Sequence, residues 1–251
     1  MAGESDRKKY RRIATDLRDA IRAGTYPAGS RLPGENALAA QYGVSRATAR
    51  QALAQLAQWG LTTARQGSGN YVRDFRPLIR DAIKRLGNGT WPAGQSVWDA
   101  ETEGRSLTVD QIEVGETADV PDRIRRILAL SSDEKAVKRS RRFSVDGKAV
   151  LVSTSWLPAS IAAGTAIAER DTGPGGTYAR LADLGHRPVR FREDLRSRMP
   201  DKGEVERLAL TPGMPVQDLI RTAVDADSTV VEVNEMTADA LAYVFRYEWD
   251  A

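Results

Sequence analysis

Apolar residues recur at helical spacing three times in the first sixty positions and then change to strand-like runs. Within Lys8–Ala23, Ile13, Leu17, Ala20 and Ile21 fall on one side, and Arg11, Arg12, Arg18 and Arg22 on the other. This predicts an amphipathic helix following a loose tail, Met1 to Asp6. Gly24 ends it, and Tyr26-Pro27-Ala28-Gly29 turns the chain. Pro33 stands where a helix can begin, since its missing N–H would be an orphan there. Ala37, Leu38, Ala39, Ala40 and Tyr42 carry that helix on to Gly43. Val44 fills the corner, and Ser45 is a good N-cap for a third helix. Ala49, Leu53 and Leu56 give this helix one apolar stripe, so the pair predicts a helix-turn-helix. Leu61–Val72 then reads as two β-runs around Gly67-Ser68-Gly69, a hairpin wing.

The polar residues of this unit suggest chemistry. Arg46 and Arg50 lie four apart and share a helix face, with Ser45 and Thr48 flanking its N-terminal end. Arg can grip guanine O6 and N7 with two donors, and a recognition helix enters the major groove by its N-terminal residues. Gln66, Gly67 and Ser68 form a wing tip that can approach DNA closely. Arg31 reads either as a phosphate contact or as a plain surface residue.

Arg73-Asp74-Phe75-Arg76-Pro77 is a polar joint, which suggests domains of 1–74 and 75–251 with a linker and short helix over 75–93. Leu78 to Leu86 reads as that helix, broken by Gly87-Asn88-Gly89. Beyond it, strands are expected at Leu107–Val114, Ala136–Val145, Ala149–Trp156, Val189–Arg198, Val216–Val224 and Val230–Thr237, with Tyr243–Tyr247 as a last edge. Helices are expected at Pro121–Leu130, Thr177–Leu184 and Lys202–Leu208. Antiparallel hairpins, one turning at Asp146-Gly147, with helices on one face make an α+β domain.

Composition narrows the function. The chain is 41 % hydrophobic and 28 % charged, which suits soluble globular domains. It contains no Cys, excluding disulfides and thiolate metal sites, and its single His186 removes most hydrolase dyads and zinc sites. No metal or cofactor is expected. No apolar run approaches the ~20 residues of a membrane span, and the polar N-terminus is unlike a signal peptide, so a cytoplasmic location is expected. Met1–Phe75 holds twelve Arg or Lys against six Asp or Glu, leaving 25 against 28 for the remainder. A basic head on a mildly acidic body suits a DNA-binder with a separate regulatory part.

Three segments carry a family resemblance: Gly29-Ser30-Arg31-Leu32-Pro33-Gly34-Glu35, Tyr42-Gly43-Val44-Ser45-Arg46-Ala47-Thr48-Ala49-Arg50 and Gln66-Gly67-Ser68-Gly69-Asn70-Tyr71-Val72. They resemble the GntR family of bacterial transcription factors. Most relatives place Arg directly after the Pro-x-Glu of the first of these helices; Asn36 stands there in this chain. Asn pairs naturally with adenine, so a shift toward A·T at one operator position is expected.

The second half resembles the ligand-sensing (UTRA) domain of the HutC branch, with a chorismate-lyase-like fold. Arg139-Ser140-Arg141-Arg142-Phe143 with Asp146-Gly147-Lys148, Ser155-Trp156-Leu157-Pro158, Tyr178-Ala179-Arg180-Leu181, Gly213-Met214-Pro215 and Val231-Glu232-Val233 carry it. Thr172–Tyr178 with Gly185-His186 looks like an actinomycete sub-branch, some members of which control plasmid transfer. The resemblance implies an effector site at Arg139, Arg141, Phe143, Ser153, Gly176, Tyr178 and Glu232. On a strand, Arg139, Arg141 and Phe143 share a face and Arg142 opposes them. Arg141 matches the position that grips phosphate in phosphosugar-sensing relatives, and an internal pair with Glu232 is the other reading. Ser153 replaces a sugar-binding Glu, Gly176 a phosphate-binding Ser, and Ala238 a Tyr, so an amino-sugar phosphate fits poorly.

Three further features have bland readings. Gly173-Pro174-Gly175-Gly176 lacks a P-loop ending and reads as a structural loop. His186 reads as structural, and Trp91, Trp98 and Trp156 as core or pocket wall.

The chain therefore reads as a ligand-responsive repressor, not an enzyme, binding a palindromic DNA operator as a homodimer. The rivals are a constitutive regulator whose second domain only dimerises, and a lyase-like domain on a DNA-binding head.

Overall fold

Gly43 takes a left-handed conformation and donates its N–H to the Ala39 carbonyl, which stops one helix so that Ser45 can begin the next. This corner organises the first of two compact units; the first runs to Arg76 and the second begins at Pro77, with Gly213 and Met214 grouped with the first. The computed structural model describes residues 2–65, 67–81, 83, 86, 102, 104–210 and 213–249.

The first unit contains helices α1 (Ala2–Arg22), α2 (Glu35–Tyr42) and α3 (Arg46–Gln58), then the antiparallel strands β1 (Thr62–Arg65) and β2 (Gly69–Val72). Ile13, Leu17, Leu38, Ala49, Leu53, Leu56 and Val72 form its core, one stripe from each element. Two expectations are corrected. The N-terminal tail is helical from Ala2, because no Gly or Pro separates it from the amphipathic run behind except Gly3 in the first turn. Pro33 lies before α2 instead of opening it, and Gly34 is the N-cap. Ser30 and Leu32 bond along β2, through Val72 N–H to Ser30 and Leu32 N–H to Asn70, so Arg31 is held against the wing.

The second unit holds a six-stranded antiparallel sheet of β4 (Leu107–Thr117), β5 (Ala136–Val145), β6 (Lys148–Pro158), β7 (Arg190–Arg198), β8 (Val216–Val224) and β9 (Val230–Asp239). The spatial order is β4-β5-β6-β9-β8-β7. Helices α4 (Asp122–Ile127), α5 (Ala159–Ala162), α6 (Gly176–Asp183) and α7 (Lys202–Leu208) cover both faces, not one. α5 and α6 pack through Ala162 and Leu181 against Val137, Leu157 and Ala223. α4 packs through Ile124 against Ala136, Trp156, Ile220 and Val233, and α7 through Leu208 against Val152 and Val216. The cause lies in β5 and β6, which are buried almost without alternation, as strands covered on both sides must be.

The segment from Leu78, expected as a helix, opens instead as strand β3 (Leu78–Asp81), paired in parallel with β10 (Tyr243–Arg246). Leu78 and Arg80 are buried while Ile79 and Asp81 are only half-buried, a period of two that overrides local helix propensity. Tyr243–Arg246 is therefore a partner of β3 and not an edge of the main sheet. Gly87-Asn88-Gly89, Trp91 and Trp98 lie outside the described residues.

Candidate DNA interface and effector cavity

In the first unit, the Ser45 hydroxyl accepts from the Thr48 amide at 3.2 Å and shares a hydrogen bond with the Thr48 hydroxyl at 2.8 Å. That cap fixes the start of α3 and leaves Arg46 and Arg50 exposed, each with 66 % of its side chain open. Thr48 itself is 3 % exposed. It was expected on the DNA face, but its place in the capping turn points it inward. Arg50 makes a two-point contact with Glu35, Nε to Oε1 at 2.8 Å and NH2 to Oε2 at 3.0 Å. Arg46 lies 3.8 Å from the same carboxylate. Glu35 thus ties both arginines to α2, and they hold its carboxyl below the usual range. Asn36, next to it, is exposed.

The wing carries a further cation. The Arg65 guanidinium sits 4.2 Å from the centre of the Tyr71 ring, whose hydroxyl shares a 2.6 Å hydrogen bond with Ser68. Arg31 lies across Gly69, where an added Cβ would come within 3.1 Å of Nε. Glycine at a φ of +111° is what permits that approach. Arg65 was not singled out from the sequence, although its place one residue before the Gln66-Gly67 tip was a usable signal. Gly67 is exposed, Ser68 is half-buried, and Gln66 lies outside the described residues.

In the second unit, a cavity of about 220 Å³ opens on the sheet face beneath the start of α6. β4 supplies Leu107 and Val109, β5 Arg141 and Phe143, β8 Arg221, and β9 Glu232 and Asn234. The loop 171–177 and Tyr178 close it. Of the residues expected there, Arg141, Phe143, Gly176, Tyr178 and Glu232 line it. Ser153 stands behind, donating to Asn234 Oδ1 at 2.8 Å.

Arg139 is also turned to other work. It is 1 % exposed and donates to the carbonyls of Ile167, Glu169 and Arg170, fastening the strap that leads into the cavity loop. Burial, and then Arg141 nearby, lower it to about 10. Arg142 faces the other side, bonded to Asp110. The glycine run reads differently in three dimensions. Gly175 and Gly176 turn left-handed at the start of α6, bringing its first amides, which lack acceptors within the helix, to the cavity wall.

The internal pair suggested for Arg141 and Glu232 is not formed. Glu232 Oε2 accepts from the Tyr178 hydroxyl at 2.7 Å and lies 3.9 Å from Arg221. Arg141 stacks on Phe143 at 5.5 Å, and its buried Nε has no hydrogen-bond partner among the described residues. Burial pushes its guanidinium down from its ordinary value, and attraction to Glu232 opposes this. The Thr177 hydroxyl at the same wall is likewise buried and unbonded. Arg221 was missed, because its place here depends on pairing with Asn234 across the sheet. His186 is bonded through Nδ1 to Asp225 at 2.9 Å, the structural role expected, and Trp156 is a core residue with its N–H on Glu235.

Residues 9–72 match the model of the bacterial regulatory proteins of the gntR family, and residues 102–243 match the UTRA domain. The chain belongs to the GntR family. A relative at family distance is the HTH-type transcriptional regulator RB1450 of Rhizobium meliloti. It is 30 % identical over 226 residues, covering 89 % of this chain and 87 % of that one. The mannosyl-D-glycerate transport/metabolism system repressor MngR of Escherichia coli is 26 % identical over 215 residues, 84 % and 77 % of the two chains. The crystal structure of PhnF from Mycobacterium smegmatis shares the fold, with a TM-score of 0.59, 21 % identity and coverage of 95 % and 99 %. With this architecture the GntR-family chain is a DNA-binding transcriptional regulator carrying an effector-binding UTRA domain of HutC type. Its domains and relatives are those of regulators and not of enzymes. Among the described residues, no helix is long and apolar enough to cross a membrane.

Proposed function

We propose that this GntR-family chain is a repressor, working as a homodimer on a palindromic operator, and that a small anionic effector in the UTRA cavity releases it. The observation that carries the effector reading is the Arg141 Nε, buried at the cavity with no acceptor among the described residues. A guanidinium donor left so is costly, and a ligand oxygen would relieve it. The unbonded Thr177 hydroxyl and the first turn of α6 supply further donors on the same side. Leu107, Val109 and Phe143 add apolar lining to the same cavity, so the effector is read as carrying one anionic end and a compact body.

In the head, Arg46, Arg50 and Asn36 are the base-reading candidates, held by Ser45 and Glu35. Arg31 and Arg65, with Gly67 and Ser68, take phosphate on the wing. Two-fold proteins read palindromic half-sites, and MngR is by name a repressor. A ligand shifts such a protein only by its differential affinity for the bound and released states.

The test is a gel shift on DNA around the chain's own promoter, with and without a small-molecule extract of the host. Release by the extract supports the reading. Binding unaffected by every fraction favours a constitutive regulator. That second reading has its own support in Glu232, whose carboxylate is met within the chain by Tyr178 and Arg221.

A further inference from the structure

The main sheet of the second unit ends on two unlike edges. β4, at one end, is interrupted by a bulge between Asp110 and Glu113, a common guard against pairing with another chain. β7, at the other end, pairs with β8 from Arg190 to Arg198 without a register shift. It holds no Pro, Gly or Lys, and among the described residues no strand pairs with its outer side. A regular edge of nine residues therefore keeps a row of backbone donors and acceptors to offer. Val189, Leu195 and Met199 stand exposed along it.

The charges on β7 decide what it can pair with. Two copies of one strand, antiparallel about a two-fold axis, place one residue opposite itself, and residues equally far to either side meet in pairs. With Glu193 on the axis, a carboxylate faces its own copy. With Asp194 there the same happens, and Arg192 meets Arg196 of the partner subunit. With Arg192 or Arg196 there, two guanidinium groups meet. Like charges directly opposite are destabilising. With Leu195 on the axis, the two leucines meet and Asp194 faces Arg196 of the partner subunit, once on each side. The like-charged pairing that remains, Arg192 with Arg198 of the partner subunit, joins residues that each hold a carboxylate of their own, Asp194 and Glu204. Leu195 is 39 % exposed, and the side chains of Asp194 and Arg196 are 60 % and 66 % exposed, so all three are open to a partner.

We propose that β7 joins β7 of a second copy of this chain, antiparallel and with Leu195 on the two-fold axis, so that one sheet runs through both second units. The proposal rests on the homodimer reading above and names the surface that forms the dimer. Main-chain hydrogen bonds supply the attraction, as in other strand additions, and the Asp194–Arg196 pairs set the register.

The chain has no Cys, so one introduced thiol reports on the axis without interference. Residues directly opposite in an antiparallel pair have Cα atoms about 4.5–5.5 Å apart, within disulfide reach. Full-length Leu195→Cys, oxidised with diamide, is expected to run as a covalent dimer on a non-reducing gel. Leu184→Cys, exposed beyond the end of α6, is the control and should run as a monomer. In sedimentation, Asp194→Arg should raise the dimer dissociation constant about tenfold, because two attractions become two repulsions. Adding Arg196→Asp should restore it, although both changes break pairs within the chain. Leu195→Cys carries the test alone if the charge variants do not fold. A wild-type dimer that Leu195→Cys does not lock, or that Asp194→Arg leaves unchanged, overturns the edge pairing and leaves the homodimer reading standing. A wild-type chain that sediments as a monomer overturns the homodimer reading, and the edge pairing falls with it.

Discussion

Arg50 lies flat against Glu35, joined by two hydrogen bonds of 2.8 and 3.0 Å that bridge the recognition helix to the helix before it. The pair is exposed, so it contributes little to stability. If Arg50 is a base contact, as proposed, the pair holds its guanidinium in one orientation before DNA arrives; Arg46 lies 3.8 Å from the same carboxylate. Glu35→Gln should leave thermal stability nearly unchanged. It should raise affinity for arbitrary DNA, by removing a negative charge near phosphate, and lower the specific-to-nonspecific ratio about tenfold, within the range for one bidentate base contact. Fluorescence anisotropy on operator and scrambled duplexes measures both. An unchanged ratio would separate Glu35 from specificity.

Asn36 is exposed beside Glu35, at the position where the family resemblance implies Arg. The two residues ask for different bases, since Asn matches adenine N6 and N7 and Arg matches guanine O6 and N7. Selection from random DNA should return A·T at one position of each half-site for the wild-type chain. Asn36→Arg should return guanine there. The same base from both would remove Asn36 from readout.

Arg31 and Arg65 rest on the wing through Gly69 and Tyr71. As phosphate contacts, Arg31→Ala and Arg65→Ala should each weaken binding equally on all sequences. Each should also reduce the slope of log affinity against log salt by about one. A loss confined to the operator would make them base readers instead.

Arg198 grips Glu204 by two contacts of 2.6 Å, and the Asp201 amide and the Thr237 hydroxyl add to the hold. Arg198, the first of these causes, lowers the carboxyl from its ordinary 4.5 to about 2. A depressed carboxylate contributes stability that is complete above its unfolded value and is lost as pH falls through its folded one. The loss should therefore run from about pH 4.5 down to about pH 2. Its size should be about 1–3 kcal/mol, allowing for partial solvent screening. Chemical denaturation of wild type and Glu204→Gln across this range checks it: the variant should be less stable at neutral pH and should lose less on acidification.

The helix-turn-helix was legible because its signals are local. Gly43 must turn left-handed, Ser45 must cap, and the stripe of α3 must face inward, all within fifteen residues. Strands β5 and β8 and helix α7 likewise run between the residues their patterns suggested. What the sequence hides is decided at a distance. β3 is a strand only because Tyr243–Arg246 lies beside it. Arg221 reaches the cavity through its cross-strand register with Asn234, and Arg80 is buried against Glu193, a residue more than a hundred positions away. Thr48 shows the same limit at short range. A hydroxyl on the third residue of a helix suits a DNA face or a cap, and burial chose the cap.

The central claim is that an anion held by Arg141 controls operator occupancy. It is tested most directly by titrating the operator-bound wild-type chain and Arg141→Gln with the anionic fraction of a host extract, and reading release by gel shift. The wild-type chain should be released while Arg141→Gln stays bound at every dose, with equal operator affinity before addition. Release of both proteins at the same dose would contradict it.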